Sequence, residues 1–237
     1  MSGRLRIGLL ECDHVDDRFR RATGGDYAHL FRQWLVPHTD DLELVPFDVV
    51  NGDHPARPDE CDGWLCTGSR ASVYDGESWI HEAQQFVADV VAAGRPYVGV
   101  CFGHQLLAQA VGGRVERADS GWGAGVRRID VVAPQPWMRP GSPTLDLHFM
   151  HQDQVVDLPP GATLVGKTDH CPNAMFAVGS AFGVQAHPEF VPEYTEALLL
   201  ARQLRIGAAT TDAALASLRQ PTDEGLIARW ALRLWAG

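Results

Sequence analysis

Residues 96–107 read Pro96-Tyr97-Val98-Gly99-Val100-Cys101-Phe102-Gly103-His104-Gln105-Leu106-Leu107, or PYVGVCFGHQLL. The apolar run up to Val100 predicts a short buried strand, and the pattern from Gly103 to the Gly112-Gly113 pair predicts a helix ended by glycine. Between them lies Gly-Val-Cys-Phe-Gly, with a small residue two places before the cysteine and another two places after it. That spacing lets a chain fold sharply from strand into helix and lift the central side chain clear of the backbone. A thiol so placed sits at a helix N-terminus, where unpaired N–H groups favour the thiolate and can receive an oxyanion. A free cysteine at a strand end is more often simply buried and inert. The two flanking glycines are what favour a displayed nucleophile at Cys101.

Working outward, LRIGLLEC (5–12), LELVPFDVV (42–50) and GWLCTGS (63–69) predict further strands. Helices are predicted over Ala28–Leu35 and from Ser78 to Ala93, the latter stopped by Gly94. The order β-α-β-β-α-β-α implies an α/β fold with a mostly parallel central sheet and helices on both faces. After Gly113 the chain changes character. Residues 124–132, 147–158, 163–168, 174–179 and 182–189 are short apolar runs separated by Gly, Pro and Asp. They predict antiparallel strands added to that sheet or laid across its edge. Pro192 to Leu204 is helical, and two more helical patterns surround Gln220-Pro221-Thr222. Within the last of these, Trp230 and Trp235 recur with Ile227, Leu232 and Leu234 at helix spacing, as a docking face would. That face could alternatively serve a homodimer.

A chain of 237 residues, 45% hydrophobic and 21% charged, suits one large globular domain. Its net charge of -10, with no Lys/Arg block, speaks against a nucleic-acid partner. No apolar run approaches a membrane span, and the N-terminal apolar run reads as a strand rather than a leader. Five irregularly spaced cysteines suggest neither a disulfide framework nor a zinc site, and a reducing cytoplasm is the expected location. His148 and His151 stand three apart in a predicted strand, so their side chains would face opposite ways and would not share a metal.

A thiol nucleophile needs a base oriented by a third group. Among ten histidines, His187 stands out in FGVQAHPEF (182–190). It ends an apolar run, Pro188 stiffens the turn, and Glu189 lies two residues on, able to hold one imidazole nitrogen. With GVCFGHQ, HPE and an upstream TGSRASVYDG (67–76) assembled in that order, residues 6–200 resemble the class I glutamine amidotransferases. That family's motifs are G-x-C-x-G-H-Q, H-P-E and a glycine-rich S-G-G-P-x-S loop.

The resemblance implies a flavodoxin-like amidotransferase fold over residues 1–205, with 206–237 a helical extension packed on the same domain. It implies that Cys101 attacks a γ-glutamyl amide, that His187 protonates the departing amine, and that Glu189 orients His187, with a thioester intermediate and no metal or other cofactor. It places the oxyanion hole at Phe102, Gly68 and Ser69. Gln105 and the segment holding Phe149, Met150 and His151 would seat the substrate. Asp13 and Tyr27 follow the first strand at the sheet edge where ligands gather, and join the substrate-binding candidates.

The glycine-rich loop departs from the family pattern: Ser69 replaces its second glycine and Arg70 its proline. A serine there is strained only if its φ is positive. Tyr74-Asp75 would fix this loop rather than touch chemistry. Neither an ATP-pyrophosphatase nor a Walker-type signature occurs, so a stand-alone module is expected. Three functions follow: a glutaminase passing ammonia in trans to a separate synthase, a self-sufficient γ-glutamyl peptide hydrolase, or a non-catalytic interaction module. Intact Cys101, His187 and Glu189 count against the third.

Overall fold

The computed structural model describes residues 4–237. In chain order the strands are β1 (Leu5–Leu10), β2 (Leu42–Phe47), β3 (Gly63–Cys66), β4 (Tyr97–Val100), β5 (Arg114–Arg117), β6 (Gly123–Val131), β7 (Thr144–His151), β8 (Asp153–Asp157), β9 (Thr163–Lys167), β10 (Met175–Val178) and β11 (Ala181–Val184). The helices are α1 (Arg20–Thr23), α2 (Tyr27–Leu35), α3 (Ser78–Ala92), α4 (Phe102–Ala110), α5 (Pro192–Ile206), α6 (Ala208–Ser217) and α7 (Glu224–Ala236).

Nine strands form one sheet in the order β2-β1-β3-β4-β11-β10-β9-β6-β7. The first five are mutually parallel, and the rest pair antiparallel. This corrects the sequence expectation for residues 182–189. Their strand, β11, lies parallel to β4, with Tyr97 opposite Ala181 and Val100 opposite Val184. It is fully buried, so it belongs to the covered core rather than to an edge. The run at 147–158 also divides. It breaks at Gln152, sending β7 to the large sheet and β8 to a two-stranded ribbon with β5.

Side chains alternate across the parallel strands as the period of two requires. Leu9, Leu65, Val98 and Val100 join one apolar cluster, whereas Leu10, Trp64, Cys66 and Tyr97 join the other. The amphipathic α3 buries Trp79, Ile80, Ala83, Phe86, Val87 and Val90 on the second side. On the first side lie residues of α2, α5 and α7. The C-terminal helix is held there by its tryptophans: the Trp230 indole donates to the Pro140 carbonyl at 2.9 Å and the Trp235 indole to the Trp64 carbonyl at 3.3 Å. Beyond β11, the His187 N–H donates to the His148 carbonyl of β7 at 2.8 Å. The antiparallel strands therefore curl back so that the last of them meets the chain leaving β11.

Gly99 and Gly103 show why the turn at Cys101 demands small residues. A Cβ on Gly99 would overlap the Gly103 carbonyl and lie 2.8 Å from the His104 nitrogen. A Cβ on Gly103 would lie 2.7 Å from the Cys66 carbonyl oxygen. These neighbours are backbone and have nowhere to go. Gly99→Ala is expected to destabilise the fold by about 3 kcal/mol, read as a lower denaturant midpoint. An unchanged midpoint would show that β4 and α4 can separate.

Candidate active site

The four parallel strands β1, β3, β4 and β11 end at one edge of the sheet, which is where ligands collect in such folds. They deliver, in turn, Asp13, Gly68-Ser69, Cys101 and His187. Cys101 has φ 51° and is the one non-glycine residue with positive φ among those described. Its own N–H is held by the Val184 carbonyl at 2.9 Å and its carbonyl by the Gln105 N–H at 3.1 Å. Backbone bonds on both sides thus fix a conformation an L-residue seldom adopts.

His187 and Glu189 follow β11. The His187 Nδ1 lies 2.8 Å from Glu189 Oε1, with both side chains almost wholly buried. One face of the imidazole stacks on Phe190, with ring centres 3.9 Å apart. The ring edge faces Gly68, where a Cβ would come within 2.9 Å of His187 Cε1 and 3.6 Å of the Cys101 Cβ. Gly68 therefore has to be glycine for His187 and Cys101 to approach each other. Burial alone would make His187 harder to protonate. The charges of Cys101 and Glu189, and hydrogen bonds to both, outweigh that and raise its pKa to about 10.

Around Cys101 the backbone offers unpaired donors. The Gly103 N–H is taken by the Thr67 carbonyl at 3.2 Å, but those of Gly68, Ser69 and Phe102 donate to no protein acceptor among the described residues. Ser69 is not at positive φ, so its replacement of a glycine introduces no backbone strain. Its hydroxyl accepts the Ala71 N–H at 3.1 Å, and the Asp75 carboxylate accepts the Ser72 N–H at 2.7 Å. Both bonds tie the loop to itself.

A cavity of about 100 Å³ opens over Cys101, lined among others by Ser69, Gln105, Met150, His151 and Asp153. Phe149 does not line it; its side chain is fully buried in the core. His151 Nδ1 sits 3.0 Å from the Asp153 carbonyl, and burial lowers its pKa to about 3. His148 is instead bound to the Thr195 hydroxyl at 3.2 Å. Asp13 is engaged by Arg70, whose backbone N–H and Nε each reach its carboxylate at 2.9 Å. Tyr27 is buried, its hydroxyl 3.3 Å from that of Tyr194. Asp13 and Tyr27 line a second cavity, not the one over Cys101.

One residue of this site is not singled out by the sequence. The Gln185 amide donates toward Cys101 Sγ at 3.5 Å, and its oxygen accepts from the Gln105 amide at 3.1 Å. Gln105 also donates to the Asp153 carbonyl at 2.9 Å. Gln185 stands in the same FGVQAHPEF stretch as His187, two residues before it. The signal is in plain view, but its meaning depends on β11 lying parallel and in register beside β4.

Comparison with known proteins bears on the family and the fold. The family model for glutamine amidotransferase class-I matches residues 26–206. Gamma-glutamyl peptidase 3 of Arabidopsis thaliana is 29% identical over 201 residues, covering 80% of this chain and 78% of that protein. A subunit of the glutamine-hydrolyzing GMP synthase of Halobacterium salinarum is 31% identical over 169 residues, covering 70% of this chain and 84% of that protein. The crystal structure of a glutamine amidotransferase from Thermotoga maritima superposes with a TM-score of 0.72 at 21% identity, covering 98% of this chain and 96% of that one. No helix among the described residues is long and apolar enough to cross a membrane.

Proposed function

Since this chain belongs to the class I glutamine amidotransferase family, we propose that it hydrolyses the γ-glutamyl amide bond of glutamine or a related compound, using Cys101, His187 and Glu189. One observation carries the reading: a strained Cys101 that opens onto a cavity, beside a buried His187 that is itself bonded to Glu189 at 2.8 Å.

In this mechanism a protonated His187 faces Cys101, a setting in which a thiol gives up its proton and becomes the nucleophile. The sulfur attacks the amide carbon, and the oxygen gains charge opposite the free N–H groups of Phe102, Gly68 and Ser69. His187 hands its proton to the departing nitrogen, the C–N bond breaks, and a γ-glutamyl thioester remains. Water then attacks the thioester, giving its proton to His187, and glutamate leaves as the C–S bond breaks. Glu189 holds Nδ1 so that the other ring nitrogen faces the reaction. Gln185 and Gln105 keep the sulfur and the cavity floor in place. Residues 1–205 would form the catalytic unit, with 206–237 an extension that supports it.

A glutaminase role with ammonia passed to a separate synthase is supported by the likeness to a subunit of a glutamine-hydrolyzing GMP synthase. The peptidase reading is favoured by the second cavity, about 210 Å³, beside the first. Purified protein should be given glutamine and γ-glutamyl dipeptides in parallel, with released ammonia and released amino acid measured. Faster dipeptide cleavage selects the peptidase, faster ammonia release selects the glutaminase, and turnover of neither overturns the hydrolytic reading.

A further inference from the structure

The two cavities meet at three arginines. Arg70, Arg202 and Arg205 line both the inner cavity over Cys101 and the outer one walled by Tyr27, Tyr194 and Leu198. Arg70 is already committed, ion-paired to Asp13 at 2.9 Å and donating to the His14 carbonyl at 3.0 Å. Arg202 and Arg205 are not. They stand three residues apart on α5, so they share a face, and among the described residues neither guanidinium donates to a protein acceptor. The Arg205 guanidinium lies 5.6 Å over the Trp122 ring, a contact that fixes its position and leaves its N–H edge unpaired.

Other arginines also lack a carboxylate partner; what sets this pair apart is that both line a cavity reaching Cys101. With a net charge of -10 the chain has carboxylates to spare, and Arg6, Arg20, Arg114 and Arg128 each hold one. The outer cavity's own acids do not fill the role, because Asp13 is paired with Arg70 and Asp16 with Arg18. Two uncommitted guanidiniums therefore face a space that opens onto Cys101.

Their place relative to the chemistry follows from the aromatic wall. His187 stacks on Phe190, whose ring meets that of Tyr194 edge-on at 4.8 Å, and Tyr194 lines the outer cavity. The outer cavity thus lies on the His187 side of Cys101, the side toward which the amine departs. Gln105, Met150 and His151 line the inner cavity alone and are left for the glutamyl half.

We propose that Arg202 and Arg205 bind a carboxylate carried by the departing amine, so that the preferred substrates are γ-glutamyl conjugates of amino acids or peptides. This rests on the γ-glutamyl reading above and names the substrate class within it. A guanidinium meets a carboxylate through paired charge-assisted hydrogen bonds, whereas a small neutral amine leaves both arginines unused.

The test uses the full chain with Cys101→Ser, which binds without turning over, titrated calorimetrically with γ-glutamylglycine and γ-glutamylethylamide. These differ only by a carboxylate against a methyl on the departing side. The carboxylate ligand should bind at least about tenfold more tightly. That preference should fall to about onefold when Arg202→Gln and Arg205→Gln are added, and Arg202→Gln alone, which leaves the Arg205–Trp122 contact intact, should give an intermediate value. Equal affinities in the parent, binding of neither ligand, or a preference that survives the double substitution would overturn the subsite. Unmutated protein assayed on the same two compounds reports separately on hydrolysis: cleavage of neither, alongside an arginine-dependent preference, would sink the hydrolytic reading and leave the subsite standing.

Discussion

Cys101→Ser is expected to lower hydrolysis of every γ-glutamyl amide by about 10⁴-fold or more while leaving the fold in place. The backbone at position 101 is held by its neighbours: the N–H is bonded to Val184, the carbonyl to the Gln105 N–H, and Gly99 and Gly103 meet backbone to backbone beneath it. None of these contacts uses the sulfur. Serine therefore inherits the same φ of 51° and the same strain, and the fold should persist. What is lost is the thiolate. A serine hydroxyl is a far weaker acid than a thiol, so it keeps its proton beside His187 and no resting anion forms. The measurement pairs turnover with a denaturant midpoint; undiminished turnover in the serine variant would remove Cys101 from the mechanism.

The same turn shows how far the sequence could be read. GVCFG was legible because its requirement is local: two glycines are needed where two backbones touch, and both lie within two residues of the cysteine. His187 and Glu189 were legible for the same reason, being two residues apart in one short segment. Gln185 was not, because its contact with Cys101 depends on the register of β11 against β4, strands separated by some eighty residues of chain. The short runs after Gly113 gave no crossover helix before residue 181, which is why an antiparallel strand was expected where a parallel one lies. Arg114–Arg117 carries no strand pattern in the sequence, since Val115 is its one buried residue. Arg202 and Arg205 look in the sequence like any charges on a solvated helix face. Only the folded chain shows them over a cavity that reaches Cys101.

His187→Ala is expected to cost about 10²–10⁴ in rate, and its pH behaviour separates a catalytic role from a structural one. The ordinary histidine pKa is 6.5, and in the folded protein that of His187 is raised to about 10. A raised pKa means the folded state binds the proton more tightly than the unfolded state. The stability this supplies is complete below about pH 6.5 and is lost as pH climbs through about 10. Turnover should follow the same limb. His187 keeps the proton it must give to the departing amine across the neutral range, so the rate should show no break near 6.5 and should fall as pH approaches 10. In His187→Ala both the alkaline fall in rate and that part of the stability slope should vanish together. In Cys101→Ser the charge that does most to raise His187 is gone, so its NMR titration midpoint should move down from about 10. A His187 midpoint near 6.5 in the unmutated protein, or a variant retaining the alkaline limb, would show that the proton on the departing amine comes from another group.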